Sequence, residues 1–202
     1  MLRALLLSCL LALPAAADCV TKADLVKGIA FTRQDGHAGR VQTQGGALVV
    51  DYVTDHKGWY DRRVTRFGVF ETQFDLWLSD AVLVGGEAPV MVWRFSPAPI
   101  APQPDKGWTA SVHQVVSHIG YGSQMVKLVN RDKSDLSAKF QFLTVIEAKL
   151  SGCSYRILPV EARFTGPGGS QTRRWIYFPD LGFGLETARD GVQNGLTALV
   201  AE

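Results

Sequence analysis

Acidic and imidazole side chains occur together in the short segment from Asp51 to Asp61, which also contains Asp55 and His56. A carboxylate beside an imidazole is suited to general acid–base catalysis, and clustered carboxylates bind hard cations. The same residues are typical of a polar loop between two strands, and we favour that interpretation. A hydrolase or lyase that uses this segment remains an alternative function, so whether the chain is an enzyme is left open.

Other residues that often do chemistry lack the spacing that it needs. The histidines are not clustered as in a zinc site: His37, His56, His113 and His118. The segment from Asn130 to Asp135 begins like a calcium loop, but Asp135 stands where such a loop needs glycine. Gly120-Tyr121-Gly122-Ser123 lacks the final glycine of a nucleophile elbow. We therefore predict no catalytic residue, no metal site and no cofactor, and assign 130–135 to a charged turn.

Large aromatic residues are more numerous than one face of a sheet requires. In a sheet that curls around a cavity they line an apolar ligand site. We predict this role for four of them: Trp93, Trp108, Trp175 and Tyr177. The alternative is that the aromatic residues fill the core, which would make the protein a purely structural β module. Neighbouring arginines either hold an anionic head group or cover apolar surface with their stems: Arg62, Arg63, Arg66, Arg173 and Arg174.

The first 17 residues have the order of a cleavable secretory signal. Arg3 precedes an apolar run, which ends at Leu13 and is followed by Pro14 and three alanines. The run is shorter than the roughly 20 residues that span a bilayer. We predict cleavage near Ala17, export to the periplasm and no transmembrane segment.

Two cysteines remain after that cleavage, Cys19 and Cys153. In an oxidising compartment we expect them to form a disulfide. The whole chain has a formal charge of +2, with 47% hydrophobic and 20% charged residues. This composition is that of a folded domain, and the near balance of charge gives no basic surface for nucleic acid.

Alternating apolar and polar residues, separated by glycine-containing turns, predict antiparallel strands along most of the chain. The clearest pattern runs from Phe140 to Leu150, which we interpret as one half-buried strand. The other predicted strands are Ile29–Arg33, Arg40–Gln44, Ala47–Val53, Arg62–Gln73, Val90–Phe95, Trp108–Val116, Gln124–Asn130, Ser154–Phe164 and Arg173–Phe178. One short helix is predicted over Thr21–Lys27, with Thr21 and Asp24 at the positions of a capping box. The fold class is thus mainly β, with a curved antiparallel sheet that forms a half-barrel or a barrel-like shape.

Residues 18–202 are expected to form a single β-rich domain, in which the proline-rich segment 96–104 is a connector between two possible halves. Arg62-Arg63 followed by Phe70-Glu71-Thr72 is similar to Arg173-Arg174 followed by Leu185-Glu186-Thr187. Either two halves are related or two strands of like composition are similar by chance, because no fixed period recurs.

The C-terminal part of the chain resembles the closing strands of exported bacterial β-sheet proteins. The resemblance rests on Cys153–Ile157 and on the segment Trp175–Leu185, in which an aromatic strand leads into Pro179-Asp180-Leu181-Gly182 and a last strand. Those proteins are similar in outline to the LolA/LolB lipoprotein carriers, in which a curved antiparallel sheet encloses an apolar cavity. The resemblance implies such a sheet, although this chain lacks obvious helices to plug it, and it assigns no functional residue.

The sequence thus predicts an exported, periplasmic, non-enzymatic binding protein of the cell envelope. Its expected partner is either an envelope protein, bound at exposed strand edges and hairpins, or an apolar, lipid-like small molecule within the curved sheet.

Overall fold

The computed structural model describes residues 19–53, 59–78, 86–121 and 126–202. The predicted signal peptide lies outside the described residues. A short 3-10 helix over Lys22–Val26 precedes the strands. These are β1 (Ile29–Arg33), β2 (Ala38–Gln44), β3 (Ala47–Val53), β4 (Trp59–Arg66), β5 (Phe70–Leu78), β6 (Gly86–Ser96), β7 (Gly107–Tyr121), β8 (Val126–Phe142), β9 (Ile146–Leu150), β10 (Cys153–Gly166), β11 (Gly169–Phe178), β12 (Phe183–Arg189), β13 (Val192–Gln193) and β14 (Leu196–Ala201).

The strands form one large, curved antiparallel sheet, as the alternation in the sequence predicts. The order is β13-β12-β11-β10-β8-β7-β6-β5-β4-β3-β2-β1-β14, and β9 pairs with β10 beside this path. The two ends of the path, β13 and β14, follow each other in the chain and are separated by Asn194 and Gly195. The sheet is not closed into a barrel by a further ladder among the described residues.

The N-terminal segment is attached to the sheet by the predicted disulfide. Cys19 and Cys153 are bonded, with their Cα atoms 5.6 Å apart. The Val20 amide donates a hydrogen bond of 3.0 Å to the Tyr155 hydroxyl. Thr21 and Asp24 form the capping box of the 3-10 helix, so the predicted helix is confirmed in this tighter form.

The core has two clusters of buried side chains, and β11 contributes to both, since its neighbouring residues Tyr177 and Phe178 belong to different clusters. In β10, Cys153, Tyr155 and Ile157 are buried and the residues between them are exposed. One cluster surrounds Phe31, Phe178 and Phe183, and a second surrounds Phe70 and Phe140.

Two predicted strands are each interrupted in the structure. The predicted strand Arg62–Gln73 is two strands, β4 and β5, joined by a tight turn at Phe67 and Gly68. The predicted strand Phe140–Leu150 is also interrupted, because β8 ends at Phe142 and β9 begins at Ile146. Opposite this interruption lies Pro159 of β10, which has no N–H to donate to a ladder and whose carbonyl accepts from the Leu143 amide at 3.0 Å.

The predicted charged turn at 130–135 is also wrong, because these residues lie within β8. Each of them is paired with β7, from His118↔Asn130 to His113↔Asp135. A run of alternating polar side chains is compatible with a solvated strand as well as with a turn. The segment is a strand because it pairs with β7 along its whole length. The proline-rich segment joins β6 to β7, which are neighbours in the sheet.

Candidate functional site on the inner face

Four oppositely charged side chains are buried together on the inner face, among apolar residues. Arg63 of β4, Glu71 of β5, Arg173 of β11 and Glu186 of β12 are only 6–8% exposed. We call them the ion cluster. Charged residues are almost never buried to this extent unless they are paired.

Two hairpins of like construction supply these four residues. In β4–β5, Glu71 lies opposite Thr65, and the register shifts between Val64 and Thr65, just after Arg63. In β11–β12, Glu186 lies opposite Trp175, and the register shifts between Arg174 and Trp175, just after Arg173. The extra residue of each bulge is the threonine that follows the glutamate, Thr72 in β5 and Thr187 in β12, and each glutamate lies opposite a buried residue of the neighbouring strand.

The two hairpins approach each other closely at two glycines. A Cβ atom on Gly68 would lie 2.2 Å from the carbonyl oxygen of Gly184. Gly68 has a φ of 70°, a conformation that residues with a side chain rarely adopt. The absence of side chains at these positions lets the β4–β5 turn pack against β12, and thereby brings the two halves of the ion cluster together.

Within the ion cluster, each carboxylate accepts hydrogen bonds from both arginines. The Arg63 Nη1 atom lies 2.8 Å from Glu71 Oε1 and 2.6 Å from Glu186 Oε2. Arg173 donates to Glu71 Oε2 at 2.9 Å and also to Glu186. Arg189 adds a third guanidinium, whose Nε and Nη2 atoms lie 2.8 and 3.0 Å from the two Glu186 oxygens. Asp61 lies 3.7 Å from Arg63 and balances that third positive charge.

The electrostatics of the ion cluster keep all of its members charged. Burial by itself raises the pKa of a carboxyl, but the positive charges of Arg173 and Arg63 outweigh it and lower the pKa of both Glu71 and Glu186. Burial disfavours the charged forms of Arg63 and Arg173, yet the two glutamates raise the pKa of each arginine. These interactions are suited to holding two hairpins in place, since no member is poised to exchange a proton near neutral pH.

Among the described residues, members of the ion cluster line three pockets, one of which, of about 430 Å³, has mainly charged and polar residues in its wall. A pocket of about 280 Å³, which we call the apolar pocket, has Trp93, Leu136 and Phe164 in its wall together with Arg173. A pocket of about 180 Å³, which we call the arginine pocket, is lined by Arg33, Tyr52, Arg63, Glu186, Ala188, Arg189, Val192 and Asn194.

The four aromatic residues predicted to bind a ligand have different positions. Trp108 and Trp175 are buried against Phe140, with ring centroids 5.4 and 6.1 Å from it. Tyr177 is buried in the same cluster, and this burial raises its pKa. Trp93 alone of the four is half-buried, and it lines the apolar pocket. Core packing thus accounts for three of these residues and leaves Trp93 accessible to a ligand.

The acidic residues at the two ends of the Asp51–Asp61 segment lie in strands and point to opposite faces. Asp51 of β3 pairs on the outer face with Arg62, at 2.7 Å between Asp51 Oδ1 and Arg62 Nε. Asp61 of β4 lies opposite Tyr52, on the inner face near Arg63. Asp55 and His56 lie outside the described residues. Asp51 and Asp61 therefore do not converge on one active site.

Within the described parts of the chain, no three His, Cys, Asp or Glu residues are grouped so that they could hold a metal ion. No helix there is long and apolar enough to cross a membrane.

Sequence reasoning did not identify the ion cluster, although the signal was present. The similarity between the segment from Arg62 to Thr72 and the segment from Arg173 to Thr187 aligns the two glutamates of the cluster with each other. It also marks the two arginine pairs from which the sheet buries Arg63 and Arg173. The sequence does not show the strand pairing and the two register shifts that place Glu71 opposite Thr65 and Glu186 opposite Trp175.

Comparison with known proteins gives no relative from which a function can be transferred. No family model matches the chain, and no curated protein or solved structure shows significant similarity to it.

Proposed function

We propose that this protein is an exported, periplasmic, non-enzymatic binding protein of the cell envelope that takes an apolar, lipid-like ligand in the apolar pocket. The observation that carries this proposal is the set of half-buried apolar side chains in the wall of that pocket: Trp93, Leu136 and Phe164. Ligand sites are concave and mainly apolar, with a few polar groups that fix orientation.

The position of the pocket supports this choice over the interior of the sheet. The buried aromatic residues already contact one another, as Phe70 does with Trp108 at 5.0 Å between ring centroids. A ligand in the interior would have to displace well-packed rings, whereas one in the apolar pocket would cover side chains that are still partly in water. Gln114, Ser170, Gln171 and Arg173 provide the polar groups of this site.

The disulfide supports the export part of the proposal. Protein disulfides persist in oxidising compartments and are rare in the cytosol. Cys19 lies just after the predicted cleavage site near Ala17, so the bond would attach the new N-terminus to β10. The predicted relation to exported β-sheet proteins of the LolA/LolB type is consistent with this proposal.

Displacement of an apolar fluorescent probe, N-phenyl-1-naphthylamine, tests the site. We expect Trp93→Ala and Phe164→Ala to weaken probe binding about tenfold or more, because each removes a large apolar wall. Ile100→Ala is the matched control, since Ile100 is 43% exposed and lies in the proline-rich connector. Equal probe affinity in the wild type and both pocket variants would contradict the proposal.

The second candidate function is the binding of a protein partner at a strand edge. The N-terminal part of β8 favours it. Only Ser137–Phe142 of this strand pair with β10, so among the described residues the part before Ser137 has a ladder on one side alone. Leu128 and Val129 are 45% and 52% exposed there. Loss of a co-purifying periplasmic protein in a Val129→Pro variant, with probe binding intact, would favour this candidate over the first.

A further inference from the structure

The arginine pocket contains a guanidinium whose charge is not matched by a carboxylate. Arg33 ends β1 on the inner face, and no carboxylate oxygen lies within ion-pair distance of it in the described parts of the chain. The Arg33 guanidinium lies over an aromatic ring, with its Cζ atom 5.4 Å from the centre of the Tyr52 ring. Arg63 lies 4.5 Å from the same ring centre, so Tyr52 positions two guanidiniums at this pocket.

The nearby acidic residues are engaged elsewhere. Glu186 is held by Arg63, Arg173 and Arg189, and Asp61 lies beside Arg63. Asp35 interacts electrostatically with Arg33, but it accepts hydrogen bonds from the His37 amide and from the Asn194 side chain. The ion cluster with Arg189 and Asp61 is neutral, and Arg33 adds a positive charge at the wall of the pocket.

Two hydrogen-bond donors at this pocket also lack an acceptor among the described residues. They are the buried Nε atoms of Arg33 and Arg63. Buried donors without a partner are uncommon in folded proteins, and a bound ion or water is one of the usual reasons for them. Arg63 itself is 8% exposed, so its guanidinium is held rigidly by the sheet.

From these contacts we infer that the arginine pocket binds a small oxyanion, a carboxylate or a phosphate, with Arg33 as its main charge and Arg189 at its rim. Guanidinium groups are well matched to the geometry of both anions. The volume of about 180 Å³ is below that of a site for a whole drug-sized molecule and suits a single anionic group. This inference does not rest on the proposed function, because the two pockets share no lining residue.

Isothermal titration of the full chain with inorganic phosphate and with acetate tests this site. We expect saturable binding of at least one anion by the wild type. We expect Arg33→Gln to weaken that binding by about tenfold to a hundredfold, which corresponds to the loss of one charge-assisted hydrogen bond. Arg156→Gln is the matched control, because Arg156 is an exposed cation paired with Asp180. Arg33→Lys keeps the charge but loses the planar donor pair, and it should bind with intermediate affinity.

Titration with a long-chain fatty acid distinguishes two sources of the anion, the head group of an apolar ligand and a free anion. If the anion is the head group of an apolar ligand, the fatty acid binds more tightly than acetate, and Arg33→Gln weakens its binding. If the site serves a free anion, phosphate binding is lost in Arg33→Gln and unchanged in Trp93→Ala. The inference is overturned if neither anion shows saturable binding, or if Arg33→Gln, folded as judged by its thermal unfolding, binds as the wild type does.

Discussion

Arg63 and Glu186 are 123 residues apart in the chain, and a hydrogen bond of 2.6 Å joins Arg63 Nη1 to Glu186 Oε2 on the inner face of the sheet. The bond connects the β4–β5 hairpin to the β11–β12 hairpin, which do not share a ladder. The shape of the concave face, with its pockets, therefore depends on charges that the fold has removed from water.

Removal of one charge from the ion cluster should lower the free energy of unfolding. We expect Glu186→Gln to lower the free energy of unfolding by about 3–5 kcal/mol, because it leaves buried guanidiniums with too few carboxylates. Glu161→Gln is the control, since Glu161 pairs with Arg174 at 2.7 Å on a part of the surface where both side chains are well exposed. That change should cost about 1 kcal/mol or less. Urea unfolding measures both, and equal losses would show that the ion cluster does not stabilise the fold.

The same carboxylates predict how stability depends on pH. Their pKa values are lower in the folded protein than the ordinary 4.5, so the folded state binds fewer protons than the unfolded state at low pH. The stabilisation from Glu71 and Glu186 is fully present above pH 4.5 and is lost as the pH falls below it towards their folded pKa values. The thermal midpoint should fall steeply with acidification below pH 4.5 in the wild type. The decline should be shallower in Glu186→Gln, and parallel curves would contradict the assignment.

The close approach of Gly68 and Gly184 gives a test of how the hairpins pack. Gly68→Ala places a Cβ atom against the Gly184 backbone, so we expect it to lower the free energy of unfolding by about 2–4 kcal/mol through strain and overpacking. Gly45 has a similar positive φ, but nothing in the described part of the chain lies within 4 Å of a Cβ atom added there by Gly45→Ala. Gly45→Ala should cost about 1 kcal/mol from backbone strain alone. If chemical denaturation shows the same loss in the free energy of unfolding for both variants, the close contact between the hairpins does not contribute to the effect of Gly68→Ala.

The disulfide should stabilise the domain through its long loop. It joins residues 134 apart, for which the chain-entropy relation gives about 5 kcal/mol. We expect the Cys19→Ser/Cys153→Ser variant to unfold at much lower urea concentration than the oxidised protein. Mass analysis without reductant should find one crosslink in the protein exported to a periplasm. Two free thiols there would remove the support that the bond gives to export.

Local patterns in the sequence were enough to predict much of the sheet. Strand β3 was predicted at Ala47–Val53, and these are its bounds in the structure. The 130–135 segment was assigned wrongly, because its polar residues do not indicate that it pairs with a long neighbouring strand, β7. The ion cluster depends on two register shifts and on a glycine contact between distant hairpins, and none of these is a property of a single segment. For the same reason Trp93 was not separated from Trp108 and Trp175, whose burial is decided by packing around Phe140.

Native mass spectrometry of the protein purified from a bacterial periplasm tests the central claim, that the inner face carries an apolar ligand, most directly. We expect the wild type to carry a stoichiometric apolar mass that is released by denaturation and organic extraction, and the Trp93→Ala variant to lack most of it. The Ile100→Ala control should retain it. A bare polypeptide mass for the wild type, or a ligand kept equally by all three proteins, would contradict the claim that the apolar pocket is the binding site.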